Sequence, residues 1–264
     1  IRITDEQRLI VEAKLGDNDV LKVAAFAGCG KTTTLAAFAR RNPDKRILYL
    51  VFNVSVREHA EQVFPANTEA KNIHQVAYRA VGWQYRSKLN TNFSVNDVIR
   101  FDPKLEGKVE ICQAVMATLE EFWGSADREI SACHLPAYVD EGEEVQKSLP
   151  PKPAMRKPMA KGFQTARSML QGSQKAHDGA GPALHIANNA ACNAPTVLHI
   201  ARVYWQEMRD RKSTKVRMTH DGYVKLWQLS RPDITKKGYD IILLDEAQDI
   251  SEAVRDVIQR QKCP

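Results

Sequence analysis

The chain has 264 residues, enough for one large domain or two modest ones around a real core. Its 43% hydrophobic and 27% charged content is ordinary for a globular protein, and a net charge of +6 suits a polyanionic partner without proving one. No apolar run approaches the roughly 18 residues that a membrane helix needs and no secretory signal opens the chain, so neither a membrane-spanning nor a secreted protein is expected.

Ile1 in place of Met implies further sequence upstream. Five cysteines, at 29, 112, 133, 192 and 263, stand far apart without a C-x-x-C pair. That pattern favours reduced thiols in the cytosol or nucleus over a disulfide frame. A metal site from Cys133, His134, Cys192 and His199 fits no finger spacing.

Val20–Phe26 is an apolar run without alternation and predicts a strand buried on both faces. Ala25-Phe26-Ala27-Gly28-Cys29-Gly30-Lys31-Thr32 follows and reads as a phosphate-binding loop. Gly28 and Gly30 let the backbone curl around phosphates, and Ala25 stands where such loops usually begin with glycine. Ala27, Gly28, Cys29, Gly30, Lys31, Thr32 and Thr33 are the expected phosphate contacts, with Lys31 on the β- and γ-phosphates and the Thr32 hydroxyl on Mg2+. Lys31–Arg41 predicts a helix ended by Asn42-Pro43, and its positive N-terminus adds to the anion site.

Ile47–Phe52 predicts a second buried strand and Ser55–Phe64 a weaker helix stopped by Pro65. Strand, loop, helix and strand follow the βαβ logic of a doubly wound α/β domain. Residues 84–140 differ: nine acidic and six basic side chains give the block a net −3. Val109–Trp123 places Val109, Cys112, Val115, Met116, Leu119 and Phe122 at helical spacing, which core packing explains more simply than a cofactor box. This block reads as a helical insertion.

From Glu141 to about Leu184, Pro150, Pro151, Pro153 and Pro158 lie among basic residues, followed by a Gly/Ser/Gln/Ala stretch. That composition predicts loop or disorder over about 141–190. Helical spacing returns around Val197–Arg211. Arg202–Arg217 holds six basic residues against two acidic ones, with Tyr204 and Trp205 among them. Two readings stay open: a surface for single-stranded nucleic acid by charge and stacking, or a helix that buries Val203 and Trp205 and solvates its charges.

Asp240–Leu244 predicts a third buried strand that delivers Asp245 and Glu246 at its end. Asp245 is the candidate for Mg2+ and Glu246 the candidate general base that activates water. Asp249 or Ser251 would serve equally as a helix cap. A phosphate loop and an acidic strand end more than two hundred residues apart mark a nucleotide hydrolase.

Asp245-Glu246-Ala247-Gln248-Asp249 resembles motif II of superfamily 1 helicases of the UvrD/Rep-like group. Thr4-Asp5-Glu6-Gln7 resembles the Q-motif, Phe52-Asn53 resembles motif Ia, and Asn72–Ala77 resembles the next DNA-contacting motif, matching it well only at His74 and Ala77. Ala25–Gly28, Leu50–Asn53 with Ser55, and Met218–Leu229 closely resemble the F-box DNA helicase family. In the last block Tyr223, Leu226 and Trp227 read more simply as core. The resemblance covers about residues 1–140 and 195–258.

It implies a P-loop RecA-like parallel sheet with helices on both faces, interrupted by a mainly helical insertion. The first part of the lobe would span 1–83, the insertion 84–224 and the second part 225–264. It further implies ATP and Mg2+ as ligands and single-stranded DNA as partner. Gln7 would read adenine, and Gln248 would couple the γ-phosphate to a second lobe. Phe52, Asn53 and His74 would face DNA, although His74 also reads as a satisfied turn histidine.

Motifs III to VI and the second RecA-like lobe do not follow in this sequence, which implies the first half of a motor for DNA repair or recombination. Such a protein would work in the nucleus of a eukaryote or the cytoplasm of a bacterium. A helicase–nuclease lobe and a non-catalytic nucleotide- or DNA-binding decoy are the competing expectations.

Overall fold

A computed structural model describes residues 3–52, 54–139 and 193–263. Asn53 and the expected disorder over about 141–190 lie outside the described residues. The chain divides into two compact units, Ile1–Gln84 with Tyr223–Pro264, and Tyr85–Gly222.

The first unit is an α/β arrangement. Helix α1 (Asp5–Val11) is followed by irregular chain, α2 (Lys31–Arg41), β1 (Ile47–Val51), α3 (Val54–Val63), β2 (Thr68–Asn72) and α4 (Ile73–Ala80). After the second unit it is completed by β3 (Ile241–Leu244) and α9 (Glu252–Gln259). The strands form one parallel sheet in the order β2-β1-β3. Central β1 is buried throughout because neighbours bond both of its edges and both of its faces are covered. Ile47, Tyr49 and Val51 pack with Phe38 and Ala39 of α2, Ala60 of α3 and Leu243. Leu48 and Leu50 point to the opposite face and are equally buried.

Local chemistry sets the element ends. Thr4 and Gln7 form a capping box on α1, which gives the Thr4-Asp5-Glu6-Gln7 sequence a structural role. Helix α2 stops at Asn42, before Pro43, as the sequence predicts. Ser251, rather than Asp249, caps α9 and accepts from the Val254 amide.

One predicted strand does not form. Residues 20–26 join no ladder, and Val20 and Phe26 are 78% and 90% exposed. The sheet ends at β2 and β3, and 20–26 pairs with neither edge strand, so its backbone groups meet water rather than a ladder. An apolar run alone does not make a strand.

The second unit is helical in its described residues apart from a bridge between Leu89 and Met218. It contains α5 (Val95–Phe101), α6 (Val109–Gly124) and α7 (Ala194–Arg209). The stripe predicted on α6 is core: Cys112, Val115, Met116, Leu119, Phe122 and Trp123 are buried, whereas Val109 is exposed. Tyr204 and Trp205 are also buried, so this pair does not stack on bases, while Val203 is half-buried and the basic side chains of 202–217 are exposed. Helix α8 (His220–Leu229) lies mostly in the first unit, from Tyr223 onward, and buries Tyr223 and Trp227, and also Lys225 and Gln228, while Leu226 is half-buried.

Candidate functional site

The phosphate-loop candidate ends in a sharp turn. Gly28 and Gly30 have φ of +78° and +79°, the left-handed region where a Cβ is strained. The Cys29 amide donates back to the Phe26 carbonyl. Gly30 is the N-cap of α2 and supplies no side chain. The first turn of α2 therefore keeps its backbone donors unclaimed by any capping side chain, which is the electrostatic requirement for an anion.

Gln7 braces this loop. Its Nε2 donates to the Cys29 carbonyl over 3.1 Å, and its Oε1 accepts from the Thr4 amide over 2.9 Å. Both ends of the amide expected to read adenine are thus engaged within the chain, and reading a base requires these bonds to be exchanged.

Across the loop, β3 delivers Asp245 to a buried position, 6% exposed. Its Oδ2 accepts from Thr32 Oγ1 over 2.9 Å and from Tyr49 Oη over 2.6 Å. Its Oδ1 accepts from the Glu246 amide over 3.0 Å. The Tyr49 hydroxyl is pushed above its ordinary pKa by burial and then by the adjacent Asp245 carboxylate, so it remains a donor. Sequence reasoning missed Tyr49. The available signal was a lone hydroxyl in the otherwise aliphatic Ile47–Val51 strand, which needs a buried partner.

Glu246 has φ +49°, a strained conformation for a non-glycine residue. That turn aims its carboxylate at Lys31, with Nζ 3.2 Å from Oε1. The Lys31 ammonium is held above its ordinary pKa by the hydrogen bond to Glu246, despite partial desolvation. Gln248 Nε2 donates to the other Glu246 oxygen. The structure thus brings together Lys31, Thr32, Asp245, Glu246 and Gln248, with Gln7 on the loop behind them. Ala27 and Cys29 are exposed on the loop, and Thr33 lies in the first turn of α2.

Phe52 and His74 also meet, with ring centroids 5.4 Å apart at 69°. Asn72 organises the pair: its Nδ2 donates to the Phe52 carbonyl, and its Oδ1 accepts from the His74 amide over 2.8 Å.

Curated proteins align with the chain along its length, two of them as follows. F-box DNA helicase 1 of Gallus gallus is 32% identical over 271 residues, covering 100% of this chain and 23% of that protein. The chain is homologous to the F-box DNA helicases. F-box DNA helicase protein 1 of Schizosaccharomyces pombe is 27% identical over 278 residues, covering 98% of this chain and 26% of that protein. The chain therefore spans about a quarter of these relatives' length. The matches run beyond residues 1–140 and 195–258, where the recognisable motifs lie. No family model matches the chain. No solved structure matches it. Among the described residues, no helix is long and apolar enough to cross a membrane.

Proposed function

We propose that this chain is the ATP-binding part of a superfamily 1 DNA helicase, with a RecA-like lobe built on the β2-β1-β3 sheet. The observation that carries the proposal is the meeting of Thr32 and Asp245, 213 residues apart, over 2.9 Å beside the uncapped start of α2. Two oxygens that distance apart suit adjacent positions of an octahedral Mg2+, whose bonds of about 2.0–2.1 Å place neighbouring oxygens about 2.9 Å apart. Thr32 and Asp245 would hold Mg2+, which when bound neutralises charge on the phosphates.

The remaining chemistry falls to the chain's own side chains. Gly28 and Gly30 let phosphate approach the loop backbone, and the first amides of α2 donate to it. Lys31 exchanges Glu246 for the β- and γ-phosphates. Release from Lys31 frees the Glu246 carboxylate to orient a water molecule and take its proton. Gln248, bonded to Glu246, carries that change toward whatever packs on this face. Gln7 gives up Thr4 and Cys29 to pair with adenine. Phe52 and His74 face single-stranded DNA, along which the whole protein moves during repair or recombination in the nucleus.

The test is equilibrium binding of Mg-ATP and Mg-GTP to the 264-residue chain and to Lys31→Ala and Glu246→Gln. ATP should bind in preference to GTP, Lys31→Ala should bind at least about tenfold more weakly, and Glu246→Gln should bind as the parent does. Undiminished binding by Lys31→Ala would overturn the loop assignment, and equal affinities for ATP and GTP would overturn the role of Gln7.

A further inference from the structure

Outside the nucleotide site, the turn after α6 gathers side chains that nothing above employs. His134 is 2% exposed, with its ring edge-on to Phe122 at 5.4 Å. Its Nε2 lies 3.0 Å from Asp127 Oδ2 and 3.2 Å from Ser125 Oγ. Cys133 Sγ lies 3.7 Å from the same Asp127 oxygen and 4.0 Å from His134 Nε2. Sulfur, nitrogen and oxygen therefore form a triangle with edges of 3.0, 3.7 and 4.0 Å.

Tetrahedral zinc, with bonds of about 2.0–2.3 Å, places a nitrogen and an oxygen ligand about 3.3 Å apart and sulfur about 3.5 Å from each. Every edge of the observed triangle lies within about 0.5 Å of that face. We propose that Asp127, Cys133 and His134 form a zinc site, with water at the fourth position. Thiolate with imidazole selects zinc over the hard cations Mg2+ and Ca2+. Asp127 and Cys133 are exposed, which gives the ion a way in.

The chain also supplies the outer shell. His134 Nδ1 accepts from the Ser131 amide over 3.1 Å and also lies 3.1 Å from the Ser131 carbonyl oxygen, the kind of partner that a metal-bound imidazole uses for its second N–H. In the metal-free site Nε2–H faces the Asp127 carboxylate. On binding, the ring proton leaves Nε2 and is replaced at Nδ1, which gives up the Ser131 amide and donates to the Ser131 carbonyl, while the Cys133 S–H bond breaks and its proton passes to solvent. One proton is released per zinc. Of the cysteine and histidine set weighed from sequence, His199 is exposed on α7 and Cys192 lies outside the described residues. Asp127, which spacing gave no reason to include, completes the triangle.

Titration of the metal-free 264-residue chain with Co2+ tests the site, followed by Zn2+ calorimetry in buffers of different ionisation enthalpy. The expected result is a thiolate-to-cobalt charge-transfer band that saturates at one equivalent, is displaced by Zn2+, and accompanies release of one proton. Cys133→Ser should abolish the band, and Asp127→Asn should weaken zinc binding by about tenfold or more. Both positions are exposed, so circular dichroism should match the parent. Absence of the band, its survival in Cys133→Ser, or unchanged affinity in Asp127→Asn would overturn the three-ligand site and leave a hydrogen-bonded turn cap.

Discussion

The hydroxyl of Tyr49, at the centre of the sheet, donates to Asp245 Oδ2 over 2.6 Å across 196 residues of sequence. Tyr49 itself is fully buried. The same carboxylate oxygen accepts from Thr32, so the orientation of the proposed metal ligand depends on a strand residue that stands outside the recognised motifs.

Tyr49→Phe removes one donor from a buried carboxylate and leaves the ring's packing in place. Global stability should fall by about 1.5–3 kcal/mol, the range for a hydrogen bond to a charged group. The Mg2+ concentration needed for tight ATP binding should rise as well. Urea denaturation and Mg2+ titration measure the two effects, and a Tyr49→Phe chain as stable as the parent would remove Tyr49 from the site.

Gly30→Ala places a methyl group at φ +79°, 3.2 Å from Gln7 Nε2. Gln7 must then shift by a few tenths of an ångström, which loosens its bond to the Cys29 carbonyl. We expect a stability loss of about 1–2 kcal/mol from backbone strain and a larger relative loss of ATP affinity. Fluorescent-nucleotide binding against thermal unfolding separates the two, and an unchanged affinity would show that this turn does not shape the phosphate site.

In the second unit, burial pushes the Glu120 carboxyl up to about 7, with a smaller contribution from Asp221. Burial likewise raises Asp221 to about 6. Raised carboxyl values mean that the folded chain holds protons the unfolded chain has given up. Their contribution is fully favourable below about pH 4 and is lost as pH rises through 6 to 7. Glu120→Gln should therefore gain on the parent by about 2 kcal/mol at pH 8 and by little at pH 4. Urea melts at the two pH values measure this, and a pH-independent difference would refute it.

DNA binding should rest on phosphate neutralisation. Tyr204 and Trp205 are buried, whereas Arg209, Arg211, Lys212, Lys215 and Arg217 are exposed. Neutralising several of these five should flatten the plot of log affinity against log salt for single strands, by up to about 0.7 in slope for each phosphate that no longer meets a cation. Fluorescence anisotropy at several salt concentrations decides it, and an unchanged slope would place the DNA path elsewhere, with Phe52 and His74 next to be tested.

Turnover is expected to lag behind binding. Lys31 is the cation paired with Glu246 among the described residues, and an arginine that stabilises transferring phosphate contributes about 10³–10⁵-fold in phosphate-loop enzymes. The 264-residue chain alone should hydrolyse ATP more slowly than a full-length relative by about that factor, with little stimulation by DNA. Steady-state ATPase assays compare them, and robust DNA-stimulated turnover by this chain would mean that its own residues complete the site.

Local signals in the sequence determined much of the first unit. Helix α2 begins after Gly30 and stops at Asn42, because a glycine turn opens it and a proline closes it. Ile47–Val51 and Ile241–Leu244 are strands because their unbroken apolar runs suit burial between helices. The residues of the candidate site were legible because phosphate, metal and water each require particular groups at short spacing. Tertiary structure alone decided what depends on distant partners. Residues 20–26 have a strand's composition but join no ladder, and a ladder is a property of two chains of backbone. Tyr49 reaches Asp245, and Asp127 meets Cys133 and His134, only once folding has set the distances. Tyr204 and Trp205, which suited bases as well as they suited a core, became core because side chains that large are stabilised most by leaving water.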